Sequence, residues 1–155
     1  MHAPIPVLNM EYSVSLKRVS AKHGMICSMS DQRYGYFGWP SVARTESGRL
    51  VVGVSGYRYA HICPWGKSVL FNSDDDGKTW SDPRVVNDTP LDDRDVGIIS
   101  LGGEKLLMTW FSCDQRVRNC CLPPGEPPEM VGIRQTVLDA IPEETYTKWR
   151  ASWIR

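Results

Sequence analysis

After Pro40 the chain alternates short apolar runs with turn residues, and the runs are too short for helices. Four strands are predicted, at Ser41 to Arg44, Leu50 to Ser55, Ser68 to Phe71 and Trp80 to Val86. They are separated by Thr45-Glu46-Ser47-Gly48, by a long loop from Gly56 to Lys67, and by Asp74-Asp75-Asp76-Gly77, each with the Gly, Asp or Ser that a turn needs. A second strand pair is predicted at Val96 to Leu101 and Lys105 to Phe111, joined across Gly102-Gly103, which can take positive φ at little steric cost. Upstream, Tyr12, Val14 and Leu16 alternate and predict a leading strand.

The two hairpins are related by a repeat. At an offset of 56 residues Arg49-Leu50-Val51-Val52 falls on Lys105-Leu106-Leu107-Met108, while Gly38 and Trp39 fall on Arg94 and Asp95. An offset of 83 lays Trp149 to Arg155 on Gly66 to Asn72, which requires 27 extra residues between the second and third strands of the second unit. Within that insertion Met130, Ile133, Val137 and Ile141 recur every three or four residues, after Pro127-Pro128 and before Pro142. This spacing predicts a short amphipathic helix that packs as a lid. The expected class is all-β with a short helical insertion. The chain divides into a leading region (1–33), a first unit (34–87) and a second unit (88–155) that holds the insertion over 123–145.

Composition narrows the reading. A chain of 155 residues forms about one ordinary domain. With 18 basic and 18 acidic residues it lacks the positive excess that would hold a nucleic acid or an anionic membrane, so neither is an expected partner. No window approaches the roughly 18 apolar residues of a bilayer span. Met1 to Met10 lacks the charged start and apolar middle of a secretion signal, so a cytoplasmic location is expected. The five cysteines (Cys27, Cys63, Cys113, Cys120 and Cys121) are odd in number and irregularly spaced, which favours reduced thiols over staples or a zinc knuckle. Thirteen glycines and eleven prolines add to the expectation of a turn-rich β structure.

Ser73-Asp74-Asp75-Asp76-Gly77-Lys78-Thr79-Trp80 fits Ser-x-Asp-x-Gly-x-Thr-Trp, a pattern that average residue usage produces at roughly one position in a million. Its mechanics are those of a hairpin turn. The Asp75 carboxylate can accept backbone N–H bonds, Gly77 can take the left-handed conformation, and Trp80 can pack between neighbouring sheets. The rival reading is a calcium loop, because Asn72, Asp74, Asp76 and Gly77 reproduce the opening of an EF-hand. That loop needs a bidentate Glu where this chain has Pro83, and no helices are expected to flank it, so no metal site is predicted.

With this octapeptide, Tyr36-Phe37-Gly38-Trp39-Pro40, Arg58 and the second unit, the chain resembles the sialidase (neuraminidase) superfamily, whose members carry the motif as an Asp-box or BNR repeat. The resemblance covers roughly Tyr34 to Phe111 plus the final strand. It implies a six-bladed β-propeller, of which this chain would supply about two blades, that hydrolyses terminal sialic acid without a cofactor. It also makes Ser73, Asp75, Gly77, Thr79 and Trp80 fold markers on the rim opposite the site. The near rim would then gather the approaches to the two first strands, the loop from Gly56 to Gly66 and the helical insertion.

On that rim Asp92-Asp93-Arg94-Asp95 sets three carboxylates beside one guanidinium. This suits glycoside hydrolysis, with Asp92, Asp93 or Asp95 as the acid and Arg94 as a substrate-binding cation; the competing reading is a solvated turn. Arg58 offers a planar fork to a substrate carboxylate or to a structural ion pair. His61 is a further binding candidate, although a histidine beside aromatics is commonly a packing residue. Trp39 can line the sugar or, like Trp110 and Trp153, pack the blade.

The family opens its first blade with Phe/Tyr-Arg-Ile-Pro, whereas here Gly38 stands where the arginine would be, and no Asp lies between Tyr59 and Lys67 to serve as the usual acid. The family's tyrosine nucleophile, its glutamate and two further arginines come from later blades. The expectation is therefore the N-terminal part of a longer sialidase-like glycosidase acting on a glycan substrate, prone to self-association through open sheet edges. A non-catalytic glycan-binding propeller is the alternative.

Overall fold

The computed structural model describes residues 20–117 and 128–154. The predicted leading strand at Tyr12, Val14 and Leu16 lies outside the described residues, as do Cys120 and Cys121, and Met130 and Trp153 are described in their backbone only. The first sheet consists of β1 (Tyr36–Arg44), β2 (Leu50–Arg58), β3 (Lys67–Ser73) and β4 (Arg84–Asn87), antiparallel and in chain order. The second consists of β5 (Asp92–Ser100), β6 (Leu106–Cys113) and β7 (Ala151–Ile154), again antiparallel and in order. Between β6 and β7 lie α1 (Pro128–Ala140) and α2 (Glu143–Trp149). Among the described residues the fold is thus β-predominant, with two α-helices in the insertion where one short helix was expected. The helical insertion also continues past residue 145: Pro142 ends the first helix and stands as N-cap to a second.

The 56-residue offset holds residue by residue, since β1 maps onto β5 end to end and β2 onto β6 to within one residue. Both first strands break their register at the same place, between Gly38 and Ser41 and between Arg94 and Gly97. Inside each break sits a non-glycine residue with φ of 53°, Trp39 and Asp95. The third strands do not keep the predicted displacement. Gly53 pairs with Leu70, whereas its counterpart Thr109 pairs with Ile154, so the displacement is 84 residues and not 83. The fourth strand is later than predicted, at Arg84 and not Trp80. Ser81 donates its N–H to Asn72 and Pro83 has none to give, so pairing with β3 resumes only beyond them.

The alternation of β2 and β3 explains the packing. Val51 and Leu70 point to the second sheet and meet Val96, Met108 and Trp110 in a buried cluster. Val52, Val54, Val69 and Phe71 point the other way, under Cys27, Phe37, Tyr57 and Trp80. Trp80 therefore packs on the outward face of its own sheet and not between the two. Backbone N–H groups of β5 also bond to serine hydroxyls of the first sheet, Asp95 N–H to Ser55 Oγ at 2.8 Å and Ile98 N–H to Ser41 Oγ at 3.2 Å.

The octapeptide turns as its residues predict. Asp75 Oδ1 accepts from the N–H groups of Lys78 (3.0 Å) and Thr79 (2.9 Å) and from Ser73 Oγ (2.8 Å), while Oδ2 accepts from Thr79 Oγ1 at 2.6 Å. Gly77 has φ of 81°, and its N–H reaches Ser73 Oγ at 2.9 Å. Asp74 and Asp76, the would-be calcium ligands, pair instead with Arg49 (2.6 Å) and Arg44 (2.5 Å). Hydrogen bonds from Thr79 and Ser73 hold the Asp75 carboxyl down at about 2. A depressed carboxylate contributes stability that is present above its ordinary value and lost as it protonates in the folded state. Thermal stability should therefore fall as pH drops from about 4 toward 2. Asp75→Asn should flatten that part of the profile and Asp75→Ala should lower the melting midpoint at neutral pH, both read by circular dichroism.

Candidate functional site

Strand direction places the octapeptide at one end of the sheets and the charged cluster at the other. Leu50 pairs with Ser73 beside the octapeptide, while eight residues further along β2 Arg58 reaches the start of β5. Arg58 and Asp92 are both 0% exposed and form an ion pair: Nη2 donates to Oδ2 at 2.9 Å, and Nη1 lies 2.7 Å from Oδ1, which accepts no hydrogen bond. Arg58 also donates to the carbonyls of Asp93 (3.2 Å) and His61 (3.1 Å). Asp92 Oδ2 further accepts from Gln115 Nε2 at 2.5 Å and from the Cys63 N–H at 3.4 Å. Burial pushes the Asp92 carboxyl up from its ordinary value, and the Arg58 guanidinium works against that rise.

Asp93 is equally buried but is neutralised differently. It accepts from Ser112 Oγ (2.6 Å), Thr89 N–H (2.6 Å) and Thr89 Oγ1 (2.9 Å). Burial raises its carboxyl too, against the pull of those donors. Asp95 differs from both, because the register break turns it out to solvent. Of the three predicted carboxylates, two are enclosed in structural contacts and one is exposed. Arg94 is 4% exposed, its closest carboxylate oxygen is Asp92 Oδ2 at 3.9 Å, and its buried Nε has no hydrogen-bond partner.

Trp39 ties these groups together. Its ring lies 5.1 Å from the Arg94 guanidinium and 5.6 Å from that of Arg58, and the His61 ring meets it edge-on at 4.8 Å. Arg58, Arg94, His61 and Trp39 therefore share one locus. The exposed His61 imidazole belongs to it through the Trp39 contact, and its backbone carbonyl through Arg58. Trp39, Tyr57 and Asp95 at the same end of the sheets all have φ of 53°, a conformation costly for the bulky Trp39 and Tyr57 and better tolerated by Asp95.

Sequence reasoning missed Gln115, Thr89 and Ser112, the partners that enclose the two aspartates. They lie 19 to 23 residues from Asp92 or Asp93, or within an ordinary turn, and no motif points to them. It also missed Gly66, whose smallness the pair requires. A Cβ there would lie 1.9 Å from Arg58 Nη1 and 2.5 Å from Asp92 Oδ1. Among the described residues no group of three or more His, Cys, Asp or Glu is placed to hold a metal ion, and no helix is long and apolar enough to cross a membrane.

Removing Arg58 leaves a buried carboxylate without its counter-ion, so Arg58→Leu should cost about 3–5 kcal/mol in chemical denaturation. The paired replacement Arg58→Met with Asp92→Leu should recover most of that loss, and Gly66→Ala should destabilise by forcing the pair apart. The chain matches no family model and no curated protein.

Proposed function

We propose that the chain forms two blades of a sialidase-like β-propeller whose rim at Arg58, Asp92 and Arg94 receives a terminal acidic sugar of a glycoconjugate, in a glycoside hydrolase completed by further blades. The observation that carries this reading is the state of Arg94. Asp92 is already paired with Arg58, so Arg94 meets it only at 3.9 Å and keeps a buried, aromatic-backed guanidinium whose Nε has no hydrogen-bond partner. A planar fork in that state is matched by a carboxylate on the ligand, which can accept two parallel N–H bonds. The propeller reading draws support from the residue-by-residue repeat, from sheets that pack face to face in chain order, and from the octapeptide lying at the far end.

Within this scheme Asp92 is a positioning residue that fixes Arg58, and Asp95 is the acid. Hydrolysis breaks the anomeric C–O bond, delivers a proton to the leaving oxygen and adds the elements of water to the sugar. Asp95 can deliver that proton from its exposed place at the register break. The group that attacks or activates water on the opposite face would come from outside these two sheets. The enclosure of Asp92 and Asp93 favours a second reading, a glycan-binding propeller without turnover, because it leaves a single free carboxylate where hydrolysis uses two.

Titration with N-acetylneuraminic acid followed by calorimetry tests the anion site: Arg94→Gln should weaken binding by about tenfold or more. Binding that ignores this change would overturn the role of Arg94. Release of the fluorophore from a methylumbelliferyl sialoside by the protein carrying its further blades, reduced on the order of a hundredfold by Asp95→Asn, would support the hydrolase. Binding without release would leave the non-catalytic reading in its place.

A further inference from the structure

A groove opens between the two sheets beside β4, with about 470 Å³ between Leu70 and Val86 on one wall and Ile98, Leu106 and Met108 on the other, and the exposed Arg84 at its edge. The repeat accounts for the second wall. At the offset of 56 residues Ile98, Leu106 and Met108 fall on Val42, Leu50 and Val52, and Met108 lies opposite Ile98 as Val52 lies opposite Val42. In the first sheet this face is covered by the tryptophan of the octapeptide. Trp80 packs on the cluster that contains Val52, and a Cβ on Gly77 would meet Trp80 at 3.5 Å and Leu50 at 3.6 Å. Beyond that turn β4 pairs with β3. The second sheet has the face without the cover: among the described residues β7, the counterpart of β3, pairs only with β6, and no aromatic side chain lines the groove.

We infer that the groove and the free edge of β7 together receive a second segment of the octapeptide pattern, a turn ending in Thr-Trp followed by a short strand. The indole enters the groove between Leu70 and Met108, where its apolar area is buried and Arg84 can lie against its face. The strand extends the second sheet by backbone hydrogen bonds to β7. The shape of the groove selects this occupant. The sheets already touch through Val51, Val96 and Trp110, so a further sheet cannot enter between them, whereas one bulky side chain on a tight turn can. A small polar ligand would meet apolar walls on which Arg84 is the only charge among the described residues. The inference rests on the repeat and is independent of the anion site at Arg94.

A synthetic peptide with the sequence of residues 73–87, carrying a fluorinated tryptophan in place of Trp80, tests this against the full chain by fluorine NMR. Its resonance should shift and broaden on titration, and an unlabelled peptide with Trp80→Ala should displace it at least about tenfold less well than the unlabelled parent. Ile98→Glu in the chain should weaken binding about tenfold or more. Val85→Glu, at a lining position 42% exposed, should do the same with the fold intact by circular dichroism, and it decides the matter if Ile98→Glu does not fold. Ile99→Glu, on the opposite face of β5, should leave binding unchanged. No change in the resonance, or equal displacement by the Trp80→Ala peptide, would overturn the inference. So would binding that survives Val85→Glu, which would place the peptide on the first sheet in exchange for the chain's own segment.

Discussion

Everything at the charged end of the two sheets hangs on one buried contact, the ion pair between Arg58 of the first sheet and Asp92 of the second. Such a pair contributes little net stability, because the attraction between the charges is offset by the cost of taking both out of water. What it supplies is position. A slip of one residue in β2 or β5 would leave a guanidinium or a carboxylate buried alone, at a cost several times that of a misplaced methyl group. The pair thereby selects one mutual register for two sheets whose apolar cluster of Val51, Leu70, Val96, Met108 and Trp110 would tolerate small shifts. Its demand for space also dictates Gly66 in the loop between β2 and β3.

The repeat then acts on this frame. Both first strands carry the same register break, and in each the residue held at positive φ is reoriented relative to the regular alternation. In the first sheet that residue is Trp39, which covers two guanidinium groups; in the second it is Asp95, which faces water. One backbone device thus yields an apolar wall on one side and a free carboxylate on the other. The same conformation at equivalent places in two units is evidence that surrounding structure holds it there, above all at Trp39, whose side chain does not favour it alone.

The parts of the fold legible in the sequence were those with local causes. The hairpins follow from alternation and turn residues, the octapeptide from the bonds that a single carboxylate can collect, and the units from an offset that survives in β1, β2, β5 and β6. Where causes were distant the reading failed. Asp92 and Asp93 read as candidate acids, and their enclosure went unseen because the donors that enclose them, Arg58, Gln115, Thr89 and Ser112, are scattered over four segments. The third-strand offset erred by one residue because WRASWIR offers no strong alternation to fix its register. The second helix escaped because Pro142 reads equally as a stop and as a first-turn residue.

The division of charge at the rim has its own logic. Two aspartates beside each other would repel if both faced the same cavity, and the protein avoids this by giving each a separate set of donors, a guanidinium for Asp92 and hydroxyls with a backbone N–H for Asp93. That arrangement engages Arg58 and leaves Arg94 between the rings of Trp39 and Phe111, with Asp92 Oδ2 only at 3.9 Å. Aromatic faces stabilise a cation without satisfying its N–H groups, so the positive charge is held in position while its hydrogen-bonding capacity stays free. On the proposed reading a cluster built this way would be preorganised for an anionic ligand, because the cost of burying the guanidinium has been met in folding and binding need only supply the acceptor.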